Sequence, residues 1–159
     1  MNTDWIDLLR ALNRVGVRYL LVGAHAVGIH GIPRATRDMD VWVDSSTGNA
    51  ERVWRALAEF GAPLGDLDVS VADFLRADNV IQIGVPPNRI DLMTSLSGVD
   101  DFEGAWRRRH SADFDGEPVP VLGRADLLAN KEAAGRDKDR IDLRELRSLL
   151  RRDAPDGDG

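Results

Sequence analysis

The sequence predicts an α/β (α+β) fold, a small mixed sheet flanked by helices with further helices at the C-terminal end. Apolar residues at helical spacing alternate with short apolar runs that are typical of buried strands. Two pairs of strand segments separated by turn residues predict hairpins, which argues against a purely parallel sheet. The 159 residues, 43% hydrophobic and 30% charged, have the size and composition of a single folded domain.

The first half of the chain predicts three helices and two strands. Apolar spacing from Trp5 to Val15 predicts a helix that Thr3 caps and Gly16 ends. The elements that follow are a buried strand over 18–23, a short helix over 24–31, a loop over 32–37, an alternating strand over 38–44 and a helix over 53–60. The strand–helix–strand order resembles a βαβ unit.

The second half of the chain predicts two hairpins and a helical C-terminal region. The predicted elements are a short helix near 71–77, a hairpin of 80–85 with 89–93, a helix over 101–109, a hairpin around 114 and 119–122, and helices over 124–134 and 137–151. The last two helices break near Gly135. We expect a single domain over residues 1–152 and a disordered acidic tail over 153–159.

The composition excludes several classes of protein. Without cysteine there is no disulfide framework and no thiolate metal site, and three scattered histidines argue against structural zinc. No apolar run reaches the ~20 residues of a membrane span, and the acidic N-terminus is unlike a signal peptide. We therefore expect a cytoplasmic protein with no membrane partner. The net charge of −6 argues against a broad nucleic-acid-coating surface, although a local basic groove is compatible with it.

Three aspartates on predicted strands are the strongest chemical signal. Asp38 and Asp40 lie two apart in one strand, so their side chains share a face and repel unless a cation lies between them. Hard carboxylate oxygens suit Mg²⁺ or Mn²⁺. Asp91, in a second predicted strand, adds a third carboxylate, and such a group can hold two cations for in-line phosphoryl or nucleotidyl transfer. The alternative for Asp38 and Asp40 alone is a solvated strand face.

A candidate phosphate site precedes this acidic strand. Gly23 ends the first strand where a helix begins, and a helix N-terminus attracts phosphate. Gly23 and Ala24 permit close backbone approach, although plain helix–sheet packing explains them equally well. The glycine spacing does not fit GxGxxG, which disfavours a dinucleotide site. Arg34 and Arg37 either contact phosphates or pair with neighbouring acids.

The two lysines of the chain stand out among 19 arginines. Helical spacing places Lys131 and Lys138 on inward faces, and Asp139 and Asp142 lie on or beside the inward face of the last helix. The lysines either project into a phosphate-binding cleft or belong to a buried Lys–Asp network that orients this helix. Five arginines form a separate stripe within about 80° of one another, either a solvated face or a surface for RNA or an acidic partner: Arg136, Arg140, Arg144, Arg147 and Arg151.

Residues 19–44, 89–93 and 127–146 together resemble the nucleotidyltransferase superfamily, specifically the bacterial branch with AbiEii-type toxins and their short stand-alone relatives. The resemblance implies a nucleotidyltransferase-like sheet and Mg²⁺- or Mn²⁺-dependent transfer of a nucleoside monophosphate from an NTP to a hydroxyl. The acceptor would be an RNA 3′ end, a protein or a small molecule. The resemblance also points to a possible toxin or antitoxin partner.

The resemblance implies roles for the residues above. Asp38 and Asp40 would bind the metal and the NTP phosphates, and Asp91 would complete the metal site near the attacking hydroxyl. The Gly23-Ala24 turn would cradle the triphosphate. The two C-terminal lysines would neutralise charge, and the two inward aspartates of the last helix would hold them or the acceptor.

Two other functions are compatible with parts of the sequence. The superfamily usually has Gly-Gly or Gly-Ser where this chain has Gly23-Ala24, and Ala24 offers no hydroxyl to a phosphate. This departure favours a catalytically inactive nucleotide-binding or partner-binding module of the antitoxin type. A haloacid-dehalogenase-type phosphatase ranks last, because Trp42 stands two residues after Asp40 where Ser or Thr is expected.

Overall fold

The computed structural model describes residues 2–153, which form a mixed sheet of six strands flanked by helices. The predicted fold class is confirmed. Of the predicted tail, Asp153 ends the last helix and the other residues lie outside the described range. The elements are α1 (Thr3–Val15), β1 (Tyr19–Val22), α2 (Gly23–Ile29), β2 (Asp38–Val43), α3 (Thr47–Phe60), one turn of 3₁₀ helix (Val71–Phe74), β3 (Val80–Ile83), β4 (Arg89–Met93), α4 (Phe102–Arg107), β5 (His110–Phe114), β6 (Glu117–Val121), α5 (Arg124–Ala134) and α6 (Asp137–Asp153).

The strand order in the sheet is β3-β4-β2-β1-β6-β5. Both predicted hairpins are present, β3 with β4 and β5 with β6, and the β1–β6 and β2–β4 pairs are parallel. Strands β1 and β2 are antiparallel, with Val22 opposite Asp40, so the βαβ interpretation is wrong. Helix α2 has only seven residues, and the chain turns at the end of β1 and returns beside it.

Alternation along β2 separates the core from the site. Met39 and Val41 are fully buried, whereas Asp38 and Asp40 on the opposite face stay partly exposed. Burying an aliphatic side chain of this size contributes about 1.5–3 kcal/mol, so a register shift that exposed Met39 and Val41 would be costly. The apolar face of β2 therefore fixes the direction in which its aspartates point.

The helix ends follow local capping rules. Asn2, one residue before the predicted cap Thr3, is the N-cap of α1, because its side chain accepts a hydrogen bond from the Trp5 N–H at 3.2 Å. Gly16 and Gly135 end α1 and α5 with φ angles of 83° and 65°, the left-handed conformation that glycine adopts without strain.

Helices α5 and α6 pack against each other after the break at Gly135. Leu127 of α5 and Leu143 and Leu146 of α6 are buried. Among the described residues, no helix is both long and apolar enough to cross a membrane.

Candidate active site

A cleft of about 350 Å³ lies where β2 and β4 meet the start of α2 and the α5–α6 pair. Nine of the eleven predicted site residues line this cleft, and Arg37 and Asp139 do not. A larger cavity of about 680 Å³ lies between the end of β2 and residues 94–103, and it contains none of the predicted site residues. We take the smaller cleft as the candidate site because the charged side chains converge there.

The three predicted carboxylates meet on one face of the sheet. Asp40 of β2 and Asp91 of β4 are register partners on parallel strands, and Asp38 stands opposite Arg89 one pleat away. Both β2 aspartates line the cleft together with Asp91, as the alternation of side chains in a strand requires. The sheet thus brings together carboxylates that are far apart in the sequence.

Burial and neighbouring charges raise the pKa values of Asp40 and Asp91. Burial, together with the negative charges of Asp91 and Asp38, raises the pKa of Asp40 to about 6, although Lys138 and Arg89 oppose this rise. Burial also raises the pKa of Asp91, which the Arg89 charge partly offsets. Asp40 and Asp91 are register partners on adjacent strands, so their carboxyl groups are neighbours. A cation at this point would relieve their repulsion.

Arg89 is a site residue that the sequence reasoning missed. Its Nη2 atom donates a hydrogen bond to Asp38 Oδ2 at 2.9 Å, and its Nε atom lies 3.4 Å from Asp91 Oδ1. Among the described residues, neither Arg89 Nε nor Asp91 Oδ1 has a hydrogen-bond partner, although both atoms are buried. The available signal was spacing, because Arg89 precedes Asp91 by two residues and so shares its strand face.

The donor set fits a hard divalent cation, but the side chains do not yet enclose one. Carboxylate oxygens are the ligands that Mg²⁺ and Mn²⁺ prefer. Among the described residues the buried Asp91 Oδ1 accepts no hydrogen bond, and the pKa of Asp40 is raised; a bound cation would stabilise both carboxylates. Within residues 2–153, no three acidic, histidine or cysteine side chains are already arranged to hold a metal ion. The positive charge between the carboxylates is the Arg89 guanidinium.

Gly23 lies at the wall of the cleft where β1 passes into α2. Its φ angle is +68°, and a Cβ atom there would overlap Asp40 Oδ2 and lie 3.1 Å from Asp40 Cγ. Gly23 is therefore needed both for the backbone turn and for the space that Asp40 fills. Ala24 follows it on the cleft wall.

Lys131 belongs to a buried ion-pair network. Its Nζ atom lies 3.0 Å from Asp139 Oδ1 and 3.1 Å from Asp142 Oδ2, and the side chains are 6%, 0% and 6% exposed. Arg136 Nε binds Asp139 Oδ2 at 2.7 Å, and Arg34 forms an ion pair with Asp142. Burial alone would raise the pKa of Asp139, but hydrogen bonds from Arg136 and Lys131 lower it. The network ties α5, α6 and the 32–37 loop together, while Lys131 also borders the cleft.

Two predicted basic residues are more exposed than Lys131. Lys138 is exposed in the first turn of α6, so the expectation that both lysines face inward is wrong for this one. It nevertheless lines the cleft and lowers the pKa of Asp40 by its charge. Arg37 is exposed and lies outside the cleft lining. Of the arginine stripe, Arg136 reaches the cleft, and the other four members are exposed along α6.

Solved structures with low sequence identity share this fold, although no protein-family model and no curated protein matches the sequence. The lincomycin-bound lincosamide antibiotic adenylyltransferase LnuA is 15% identical over 94% of this chain and 98% of its own, with a TM-score of 0.62. The antibiotic-resistance factor ANT(2'')-Ia is 12% identical over 94% and 86%, with a TM-score of 0.60. A nucleotidyltransferase-like protein from Paracoccidioides brasiliensis is 17% identical over 98% and 78%, with a TM-score of 0.52. The chain therefore has the fold of nucleotidyltransferases.

Proposed function

We propose that this protein is a nucleotidyltransferase that uses Mg²⁺ or Mn²⁺ to move a nucleoside monophosphate from an NTP to a hydroxyl acceptor. The observation that carries the proposal is the meeting of Asp38, Asp40 and Asp91 on adjacent strands, in a cleft that basic side chains also line. Two of the structures that share the fold are named as adenylyltransferase or nucleotidyltransferase-like. That likeness in fold supports the same reaction class here.

The three carboxylates would bind the metal and act where the nucleotide reacts. Asp38 and Asp40 would bind the metal together with the triphosphate, and Asp91 would complete the metal site beside the acceptor hydroxyl. When bound, the divalent metal would neutralise phosphate charge and make the hydroxyl more acidic. The hydroxyl oxygen bonds to the α-phosphorus, the bond between that phosphorus and the bridging oxygen to the β-phosphate breaks, and pyrophosphate leaves. Asp91, which lies beside the hydroxyl in this proposal, would accept its proton.

The basic residues serve the triphosphate. The Gly23-Ala24 turn would let the phosphates approach the backbone closely, in the cleft that Lys138 also lines. Arg34 borders the same cleft, and Arg37 in the same loop would reach the phosphates from outside it.

At the α5–α6 side of the cleft, Lys131 and its two aspartate partners would hold helix α6 in place. In our proposal Lys131 adds positive charge at the cleft wall, while Asp139 and Asp142 hold it and fix α6. Because α6 carries Lys138 in its first turn, the same network sets how far that lysine reaches into the cleft.

The proposal has three versions, which differ in the acceptor of the nucleoside monophosphate. A small molecule agrees with the lincomycin-bound structure that shares the fold. An RNA 3′ end or a protein hydroxyl would agree with the AbiEii-type resemblance, and with it a toxin–antitoxin pairing. A cytoplasmic location would expose the protein to all three acceptor classes.

A binding module without turnover is the alternative function. The observation that favours it is Ala24, which lines the cleft and offers no hydroxyl to a phosphate. The fold, the carboxylates and the basic residues would then bind a metal–nucleotide complex or a partner protein, as in an antitoxin-like component.

Label transfer tests these proposals. The protein is incubated with each α-labelled NTP, with Mg²⁺ or Mn²⁺, and separately with tRNA, cell protein and a panel of small hydroxyl compounds that includes lincomycin. Asp40→Asn removes one site carboxylate, and Asp44→Asn is the matched control because Asp44 lies on the same chain segment but outside the cleft. We expect label on one pool with the wild type and Asp44→Asn, and none with Asp40→Asn.

The other outcomes distinguish the alternatives. Metal-dependent NTP binding by calorimetry, without label on any pool, would replace the enzyme with the binding module. Equal transfer by wild type and Asp40→Asn would overturn the assignment of the carboxylates. Absence of both transfer and nucleotide binding would overturn the enzyme and the nucleotide-binding module together.

A further inference from the structure

We propose that Arg89 works in two positions: its guanidinium holds Asp38 and Asp91 while no metal is bound, and an incoming divalent cation displaces it towards the nucleotide phosphates. Metal and nucleotide would then bind cooperatively, because each favours the same position of one side chain. The first position concerns this chain and a metal alone. The second position rests on the proposed function.

The first step is the place of Arg89 among the carboxylates. Arg89 begins β4 opposite Asp38 and shares a strand face with Asp91. Its Nη2 atom is 2.9 Å from Asp38 Oδ2 and its Nε atom is 3.4 Å from Asp91 Oδ1, and its charge also lowers the pKa of Asp40. One guanidinium therefore acts on all three candidate metal ligands.

The second step is that this arrangement satisfies the buried atoms incompletely. Arg89 Nε and Asp91 Oδ1 are each other's ionic neighbours, yet among residues 2–153 neither has a hydrogen bond. Leaving a buried carboxylate oxygen without a hydrogen bond is energetically unfavourable, and such an oxygen can bind a cation.

The third step is that the Arg89 guanidinium is placed to bind a phosphate in the cleft. The Arg89 side chain is 31% exposed and lines the same cleft as Lys138 and the Gly23-Ala24 turn. A planar guanidinium binds phosphate oxygens with the same forked geometry that it uses for carboxylates. A triphosphate in this cleft would therefore bind the Arg89 guanidinium and replace its contacts with the carboxylates once a metal binds them.

Manganese binding without nucleotide tests the first position. Calorimetry with Mn²⁺ compares the wild type with Arg89→Gln, and with Lys138→Gln as the charge-matched control, because Lys138 lines the same cleft and also acts on Asp40. We expect Arg89→Gln to bind Mn²⁺ about tenfold more tightly than the wild type, and Lys138→Gln to gain clearly less. An unchanged or weaker affinity of Arg89→Gln, or an equal gain in Lys138→Gln, would overturn the proposal.

A conservative variant guards against misfolding. Arg89→Lys keeps the charge but loses the fork, so we expect an affinity for Mn²⁺ between those of the wild type and Arg89→Gln. If Arg89→Gln does not give a native circular dichroism spectrum, the Arg89→Lys affinity decides, and no gain over the wild type counts against displacement.

Nucleotide binding tests the second position. In the wild type, we expect saturating Mn²⁺ to tighten NTP binding about tenfold, and most of this coupling to be lost in Arg89→Gln. Intact coupling in Arg89→Gln would overturn the second position. The outcomes are separable from the proposed function. A gain in Mn²⁺ affinity without transfer to any acceptor supports Arg89 and counts against the enzyme, whereas transfer without that gain does the reverse.

Discussion

The carboxylate of Asp40 occupies the space that a side chain on Gly23 would need. A Cβ atom on Gly23 would overlap Asp40 Oδ2 and lie 3.1 Å from Asp40 Cγ. Asp40 is the register partner of Val22, the residue before this glycine. The turn that opens α2 and the central carboxylate are therefore one packing unit across two antiparallel strands.

Gly23→Ala is expected to damage both the fold and the site. The positive φ angle of Gly23 costs a side-chain-bearing residue about 1–3 kcal/mol, and the overlap must push Asp40 aside. We predict a loss of that size in the free energy of unfolding from urea titration, together with loss of nucleotidyl transfer. Gly28→Ala is the control, because a Cβ there meets nothing within 4 Å in a helix, and it should be neutral or slightly stabilising. Native-like stability and activity in Gly23→Ala would contradict this account.

Asp40→Asn is expected to stabilise the metal-free protein at high pH while it removes activity. The folded-state pKa of Asp40 is raised from 3.8 to about 6, so ionising it costs the folded state roughly 3 kcal/mol. The variant should gain part of this above a pH of about 6, and the gain should fade as the pH drops below about 4, where the wild-type carboxyl becomes protonated in both states. Urea unfolding in a chelator at a series of pH values measures the difference. A gain that does not depend on pH would show that Asp40 is not the group responsible.

Stabilisation by a divalent metal is expected to depend on pH in the same sense as the gain from Asp40→Asn. A metal binds the ionised carboxylate, so it should raise the melting temperature at a pH of about 8 and have little effect at about 5, below the pKa of Asp40. At a concentration about a hundred times its Kd, the stabilisation would be roughly 2.7 kcal/mol. Differential scanning fluorimetry with Mn²⁺ measures it, and Asp91→Asn should abolish it. An equal rise at both pH values would indicate binding elsewhere.

Lys131→Met is expected to destabilise the protein far more than Lys138→Met. The first change leaves Asp139 and Asp142 buried with one positive partner fewer, and breaking a buried pair costs about 3–5 kcal/mol. The second change removes an exposed side chain and should alter the free energy of unfolding by less than about 0.5 kcal/mol.

A triple variant separates burial of charge from other effects of this change. Adding Asp139→Asn and Asp142→Asn to Lys131→Met removes the stranded charges, so it should recover much of the lost stability in the same urea titration. If the triple variant is no more stable than Lys131→Met, the loss comes from packing and not from unpaired carboxylates.

The sequence predicts the carboxylate side of the cleft well because strand alternation is a local rule. Apolar residues at 39 and 41 demand burial, so the side chains of Asp38 and Asp40 must point the other way. The predicted strand of Asp91 needed only the apolar neighbours at 90 and 92. Both hairpins also follow from local turn residues. What local rules leave open is the pairing of distant strands, such as β2 with β4.

The features that the sequence did not predict all depend on which residues, or whether solvent, face a given side chain in the folded protein. Helical periodicity places Lys138 beside buried Asp139 and Asp142, but the first turn of α6 borders an open cleft, so Lys138 is exposed. The antiparallel course of β2 beside β1 depends on the return of the chain through residues 30–37, which no periodicity describes. The contact of Arg89 with Asp38 forms only when β4 pairs with β2, because the two residues are 51 positions apart in the sequence.

This distant pairing also decides when the three carboxylates can come together. The central carboxylates come from strands that meet only after the chain has folded back across some fifty residues, and such long-range parallel pairing forms late in folding. A chain still emerging from the ribosome, or one cut by a protease between β2 and β4 with loss of the distal piece, carries at most two of the three acids. The nucleotidyl transfer that we propose would therefore be absent from unfinished and truncated copies.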